Sequence, residues 1–191
     1  MNLNNYSPKL GKWIFVCSII LVFFIYNYHK ILLSGPYSIH QWRQADCLSI
    51  TTNYYQEGMK FFEPSVHWCG AEGNGKTVSE FPLIYYFVAF LWKLFGKYEF
   101  IFRLVNLSIV FTGLFCLYKI SEELLKDTFW AVFVPLFLFT SPILVYYANN
   151  FMADVPAFSL GIIGWYFFLK FYKHEKNIDL YFFMLFFCWQ D

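Results

Sequence analysis

The chain alternates apolar runs with short polar turns, broken once by a long polar stretch near the start. Apolar residues dominate about 13–33, 82–95, 99–120, 128–147, 155–172 and 180–190, while 34–80 is polar. A run of about 20 apolar residues predicts a membrane-crossing helix, because at 1.5 Å per residue it spans a hydrocarbon core of roughly 30 Å. Segment 82–95 is too short at about 21 Å of helix, and it carries Lys93, so it is predicted to lie at the interface. A second juxtamembrane helix is expected over about 46–57. The outer loop, 34–98, then holds both. The last run supplies about half a span, so the chain reads as the N-terminal part of a larger membrane module, expected to insert but to be nearly inactive alone.

Lysines decide the topology. Lys9 and Lys12 precede the first run, and "HKILLSGPYS" after it offers no small-residue cleavage site, so the run reads as a retained anchor. Lys119 and Lys126 flank one turn, and Lys170, Lys173 and Lys176 flank another. If 82–95 does not cross, all of them fall on the side of the N-terminus, which the positive-inside rule makes cytoplasmic. The loop 34–98 and the turn "YYANNFMADVP" then share the outer face of a multi-pass protein of the cell (inner) membrane.

Composition points the same way. The 191 residues are 59% hydrophobic, 25% aromatic and 14% charged, against about a quarter charged in soluble domains. The 26 Phe, 15 Tyr and 7 Trp exceed what one soluble core can hide. The net charge of +1 says nothing of nucleic acid by itself, and with no basic stripe or run no nucleic-acid partner is expected. Of five Cys, only Cys47 and Cys69 share the polar loop, where a disulfide between them is one option.

The stretch "CGAEGNGKTVSEFP" satisfies the phosphate-loop pattern, with Gly70 followed by Gly75, Lys76 and Thr77. A working phosphate loop needs a strand before it and a helix after it, whose amides hold the phosphates. Here Pro64 precedes and Pro82 follows closely, so the stretch is expected to be a Gly-rich turn that binds no nucleotide.

Three acids remain: Asp46 in "HQWRQADCLSI", Glu80 in "VSEFPLIYY" and Asp154 in "NNFMADVPAF". Each stands where a helix is expected to begin, so each has a plain reading as a cap or a dipole partner. Together they come from three separate segments to one side of the membrane, beside His40, Trp42, Arg43, Gln44 and Asn150. Acids beside a bilayer are costly and mark substrate or ion sites. Carboxylates next to a cation and an indole suit metal–phosphate binding, or deprotonation of a sugar hydroxyl.

At these residues the chain resembles the GT-C superfamily of membrane glycosyltransferases, which use lipid-phosphate-linked sugars. The nearest group is the bacterial one related to protein O-mannosyltransferases and to aminoarabinose transferases of lipid A. The resemblance runs from about Trp13 to Tyr172. It rests on "HQWRQAD", "EFPLIYYFVAFLWKLFGKYEFIFRLVN" and "SPILVYYANNFMADVPAF". It implies an all-α polytopic fold with juxtamembrane helices in the first outer loop, and Asp46, Glu80 and Asp154 match that family's outer acids. Two positions depart from it. Phe81 stands where aminoarabinose transferases have a basic residue, and Asp154 stands alone where oligosaccharyltransferases have a pair of acids.

What the resemblance implies is transfer of a sugar from a polyprenyl-phosphate donor to a lipid, glycan or protein acceptor on the outer face. Asp46 is the expected general base, aided by Asp154. Glu80 positions the phosphate or the acceptor, and Arg43 neutralises the departing phosphate, with Lys76 and Arg103 as further cations. Gln44, Trp42 and His40 line the sugar pocket, although Trp42 equally suits an interfacial belt. A divalent cation (Mg or Mn) held by Asp46 and Asp154 is the one cofactor entertained, with no nucleotide. The rival readings are a transporter or channel subunit and an inactive membrane scaffold. Transporters place their acids at mid-membrane on broken helices, unlike the one-sided acids here.

Overall fold

The computed structural model describes residues 8–68, 73, 75–77 and 80–188, and the described residues are helical with no strand. In chain order the helices are α1 (Pro8–Ile25), α2 (Tyr28–Ile31), α3 (Gln41–Glu57), α4 (Leu83–Phe95), α5 (Glu99–Leu125), α6 (Thr128–Phe139), α7 (Pro142–Ala148), α8 (Asp154–His174) and α9 (Asn177–Phe187). Among the described residues, α5 and α8 are long and apolar enough to cross a membrane, and the bent pair α6–α7 makes a third candidate. Their outward faces carry Phe129, Phe137, Phe158 and Trp165, all exposed. Lipid covers such surface where water would not. The chain is an all-α membrane module.

Two predicted spans are broken. The first run does not continue as one helix to 33. It ends at Ile25, and Asn27 takes a left-handed conformation (φ 54°) before the single turn of α2, a conformation that Asn tolerates. The run 128–147 bends by 68° between α6 and α7. Pro142 lacks an N–H and forces Ser141 into an extended conformation (ψ 135°). The Ser141 hydroxyl then accepts the Leu144 N–H at 3.2 Å and restarts the helix.

Helix α5 is the spine, packing against both α8 and α6. At Gly113 a Cβ would stand 2.9 Å from the Ser159 Cβ, so the α5–α8 approach requires glycine there. One core joins α1, α2, α5, α6 and α7 around Phe15, Tyr28, Tyr118 and Phe139. A second lies under the outer loop, where α3 and α4 close over the start of α5 through Tyr85, Trp92, Phe102 and Phe151. As expected, α4 is a short apolar helix; its buried face packs chiefly on α3 and also meets the start of α5.

Candidate functional site

The outer half of α5 fixes the site. Arg103 and Asn106, one turn apart, are both fully buried. The Arg103 guanidinium donates to Ser34 O (3.2 Å), to Gly35 O (2.9 Å) and to Asn149 O. It also lies 4.2 Å from the Phe151 ring centroid. Asn106 donates to Asn150 O and Met152 O, each at 3.0 Å. These bonds pin the first outer loop and the 149–152 turn to one helix, and so set where α3 and Asp154 stand. Arg103 is therefore turned inward and does not line the cavity described next.

Helix α3 starts at Gln41, five residues earlier than expected. Asp46 consequently sits in its second turn and caps nothing. The longer helix has a chemical consequence. Arg43, Asp46, Cys47 and Ile50 follow i, i+3, i+4, i+7 spacing and share one face, and all four line a cavity of about 470 Å³. Trp42, Trp68, Lys76 and Glu80 complete its wall. The two indoles meet edge to face at 5.5 Å, and both are more than half exposed at the rim.

Arg43 brings the other two acids in. Its Nη2 donates to Glu80 Oε1, and to Asp154 Oδ1 at 3.2 Å. Glu80 Oε2 accepts from the Tyr85 hydroxyl at 2.6 Å. The Cys47 sulfur lies 3.2 Å from the same Tyr85 oxygen. Because that hydroxyl has one proton and gives it to Glu80, the thiol is the donor to Tyr85. Burial pushes the Cys47 thiol up to about 12. Burial, followed by the neighbouring Cys47 and Glu80, raises Tyr85 still further. Hydrogen bonding to Glu80, reinforced by the Asp154 charge, holds Arg43 more firmly protonated against its partial burial.

The charges are thus unequally engaged. Glu80 and Asp154 are bound to Arg43, whereas Asp46 has no hydrogen-bond or ion-pair partner among the described residues. Nη2 is the only engaged nitrogen of Arg43 among them, so Nε and Nη1 keep N–H groups for another acceptor. Asp154 is the first residue of α8 but makes no capping bond. Its carboxylate serves Arg43 instead.

Other expected residues behave differently. Gln44 is fully buried and donates to Tyr37 O (2.9 Å) and to the Tyr146 hydroxyl (3.1 Å), so it braces the loop and is not among the residues lining the Asp46 cavity. His40 precedes α3, its backbone N–H bonded to Tyr146 Oη at 3.2 Å and its ring beside Tyr146 and Tyr147. Cys69, the suggested partner of Cys47, lies outside the described residues, as does Gly70. The Gly-rich turn closes as a small hairpin: Ser65 bridges Lys76 in antiparallel sense, and Val66 N–H bonds Gly75 O at 2.8 Å. No helix follows Thr77 before α4, so the geometry of a phosphate loop is missing from the described residues.

No group of three or more His, Cys, Asp or Glu that could hold a metal ion occurs among the described residues. Of the pair suggested for a cation, Asp154 is occupied by Arg43. Tyr85 and Cys47 join the site through Glu80. The sequence singled out Cys47 only as a disulfide candidate, and the apolar run around Tyr85 masks its hydroxyl.

No curated protein and no solved structure matches the chain. The sequence model of one family, dolichyl-phosphate-mannose-protein mannosyltransferase, matches residues 79–189, more than half of the chain and inclusive of Glu80, Tyr85, Arg103 and Asp154. With Glu80 and Asp154 gathered by Arg43 at one end of a helical membrane module, the chain belongs to that family, within the GT-C superfamily of membrane glycosyltransferases.

Proposed function

We infer that the protein transfers a sugar from a polyprenyl-phosphate-linked donor to a hydroxyl of a lipid, glycan or protein acceptor at the outer face of the cell membrane, with its N-terminus and the lysine-bearing turns cytoplasmic. One observation carries this reading. Asp46, the carboxylate without a partner, opens into the same cavity as the unengaged edge of Arg43. Asp46 takes the proton of the acceptor hydroxyl as its oxygen attacks the anomeric carbon from the face opposite the phosphate. The bond from that carbon to the phosphate oxygen breaks, the configuration inverts, and Arg43 receives the charge that develops on the phosphate. Glu80 and Asp154 orient the guanidinium, and Tyr85 orients Glu80. Lys76 adds positive potential at the cavity wall, and Trp42 with Trp68 offers an apolar edge to a sugar ring. A divalent ion, if used, would take Asp46 together with donor phosphate oxygens, since Arg43 already engages Asp154.

The test is transfer of label from polyprenyl-phosphate sugars in membranes carrying the chain, together with retention of polyprenyl phosphate by the purified chain. Asp46→Asn abolishes transfer and leaves retention unchanged. Arg43→Gln loses both. Transfer at the wild-type rate by Asp46→Asn, or retention unaffected by Arg43→Gln, would overturn the assignment.

A further inference from the structure

The opposite end of the α5–α8 pair holds a second polar cavity, which the transfer chemistry does not use. It measures about 480 Å³ and is walled by the last turns of α5 and α8. Both helices start at the acid end, so both finish here, while α6 and α9 begin here. Two negative helix ends and two positive ones therefore meet, and their dipoles offset one another. Side chains decide the potential.

Every acid facing this cavity is already satisfied. Glu122 is buried and accepts from Lys119 Nζ and from the Tyr118 hydroxyl, each at 2.7 Å. Glu123 accepts from Lys173 Nζ at 2.6 Å, and Lys170 lies 3.5 Å from Asp179 of α9. Two cationic or protonatable side chains of the wall are left over. Lys126 and His174 have no hydrogen-bond, ion-pair or ring partner among the described residues. The wall carries four lysines and His174 against two glutamates. An anion entering it displaces no existing ion pair.

The surroundings tell which anion. Leu124, Leu125 and Tyr172 adjoin wall residues in sequence and are largely exposed, at the ends of two helices long and apolar enough to cross a membrane. A ligand with an apolar body and a phosphate head fits both surfaces. Basic pockets between transmembrane helices at an interface take such headgroups. We propose that this cavity binds the phosphate headgroup of an anionic membrane lipid, seated against Lys126 and His174 between α5 and α8, on the face opposite the acid site.

Lipid retention by the purified full chain in detergent, read by native mass spectrometry, tests this with phosphatidylglycerol against phosphatidylcholine. The wild type keeps phosphatidylglycerol preferentially. Lys126→Asn with His174→Gln lowers that retention by roughly tenfold. Asn suits the left-handed backbone at position 126 (φ 50°), and neither change breaks a bond, so the fold is kept. His174→Gln alone gives a smaller loss. Lys93→Gln removes the same charge from α4 and changes nothing. Equal retention of the two lipids, or an equal loss in Lys93→Gln, refutes the site. Displacement of the lipid by millimolar inorganic phosphate alone would show that a soluble phosphate, rather than a lipid, is the ligand, and would refute it also.

Discussion

Asp154 Oδ1 lies 3.2 Å from Arg43 Nη2, joining residues 111 apart in sequence at one end of the module. Both side chains are over 40% exposed, so the pair contributes little to stability: exposed ion pairs are worth about 0.2–1 kcal/mol. Its value is geometric. Asp154→Asn is expected to shift unfolding by less than about 1 kcal/mol while reducing sugar transfer at least tenfold. A double-mutant cycle with Arg43→Gln should show that the two losses of activity are not additive. Additive losses would mean that Asp154 acts independently of the guanidinium.

Arg103 is the contrasting case, a buried charge whose partners are all carbonyls. Arg103→Met would strand three acceptors and release both outer loops. Hydrogen bonds to a charged group contribute about 1.5–3 kcal/mol each, so a destabilisation of about 3 kcal/mol or more is expected. Limited proteolysis should find new cleavage within 34–40 in this variant. A variant as protease-resistant as the wild type would remove Arg103 from its role as the clamp.

Cys47 offers a test in pH. Its thiol ordinarily ionises near 9.0, and burial moves this to about 12 in the folded chain. Between those values the unfolded chain holds fewer protons than the folded one, so stability falls as pH rises. The contribution is complete below about pH 9 and is lost towards pH 12. With Cys47 as the only cysteine, maleimide labelling at pH 8 should run at least tenfold slower than for a cysteine at exposed Lys60. Equal rates would place the thiol in solvent, away from Tyr85.

Gly75 tests the closure of the Gly-rich turn. Its φ is +61°, and a Cβ would stand 2.4 Å from Val66 O, a backbone atom that cannot swing aside. Gly75→Ala should therefore open the hairpin and withdraw Lys76 from the cavity wall, weakening donor retention several-fold. Photolabelling with an ATP analogue should stay at background in the wild type and in Lys76→Ala. Specific labelling that disappears in Lys76→Ala would restore the nucleotide reading.

Much of this was legible in the chain. Hydropathy runs marked out the apolar helices, and the run 82–95 anticipated the short helix α4, because the length of a run limits the helix it can form. The three acids were found because polar residues stand out against apolar neighbours. Misreadings arose where local and tertiary signals competed. Asp46 looked like a cap, but the helix begins at Gln41, ahead of Trp42, which meets Trp68, and Arg43, which reaches Glu80 and Asp154. The bend at Ser141–Pro142 was written in the dipeptide and overlooked because the apolar run hid it. That Gln44 and Arg103 turn inward depends on carbonyls supplied by distant loops, which no local pattern encodes.

The last prediction concerns which ends share a side. Helix α4 has 13 residues, about 20 Å, and packs on α3, so it returns the chain to the face it left. Lys60 and Lys97 must then lie on the acid side, and Lys176 on the lysine side with α5 and α8 between them. Single cysteines replacing Lys60, Lys97 and Lys176, in a chain without native cysteines, report this through an impermeant maleimide. In intact cells the first two should label and the third only after permeabilisation. If Lys60 and Lys176 labelled together while Lys97 stayed protected, α4 would cross the membrane. That outcome would also separate Asp46 from Asp154 and dissolve the site that Arg43 holds together.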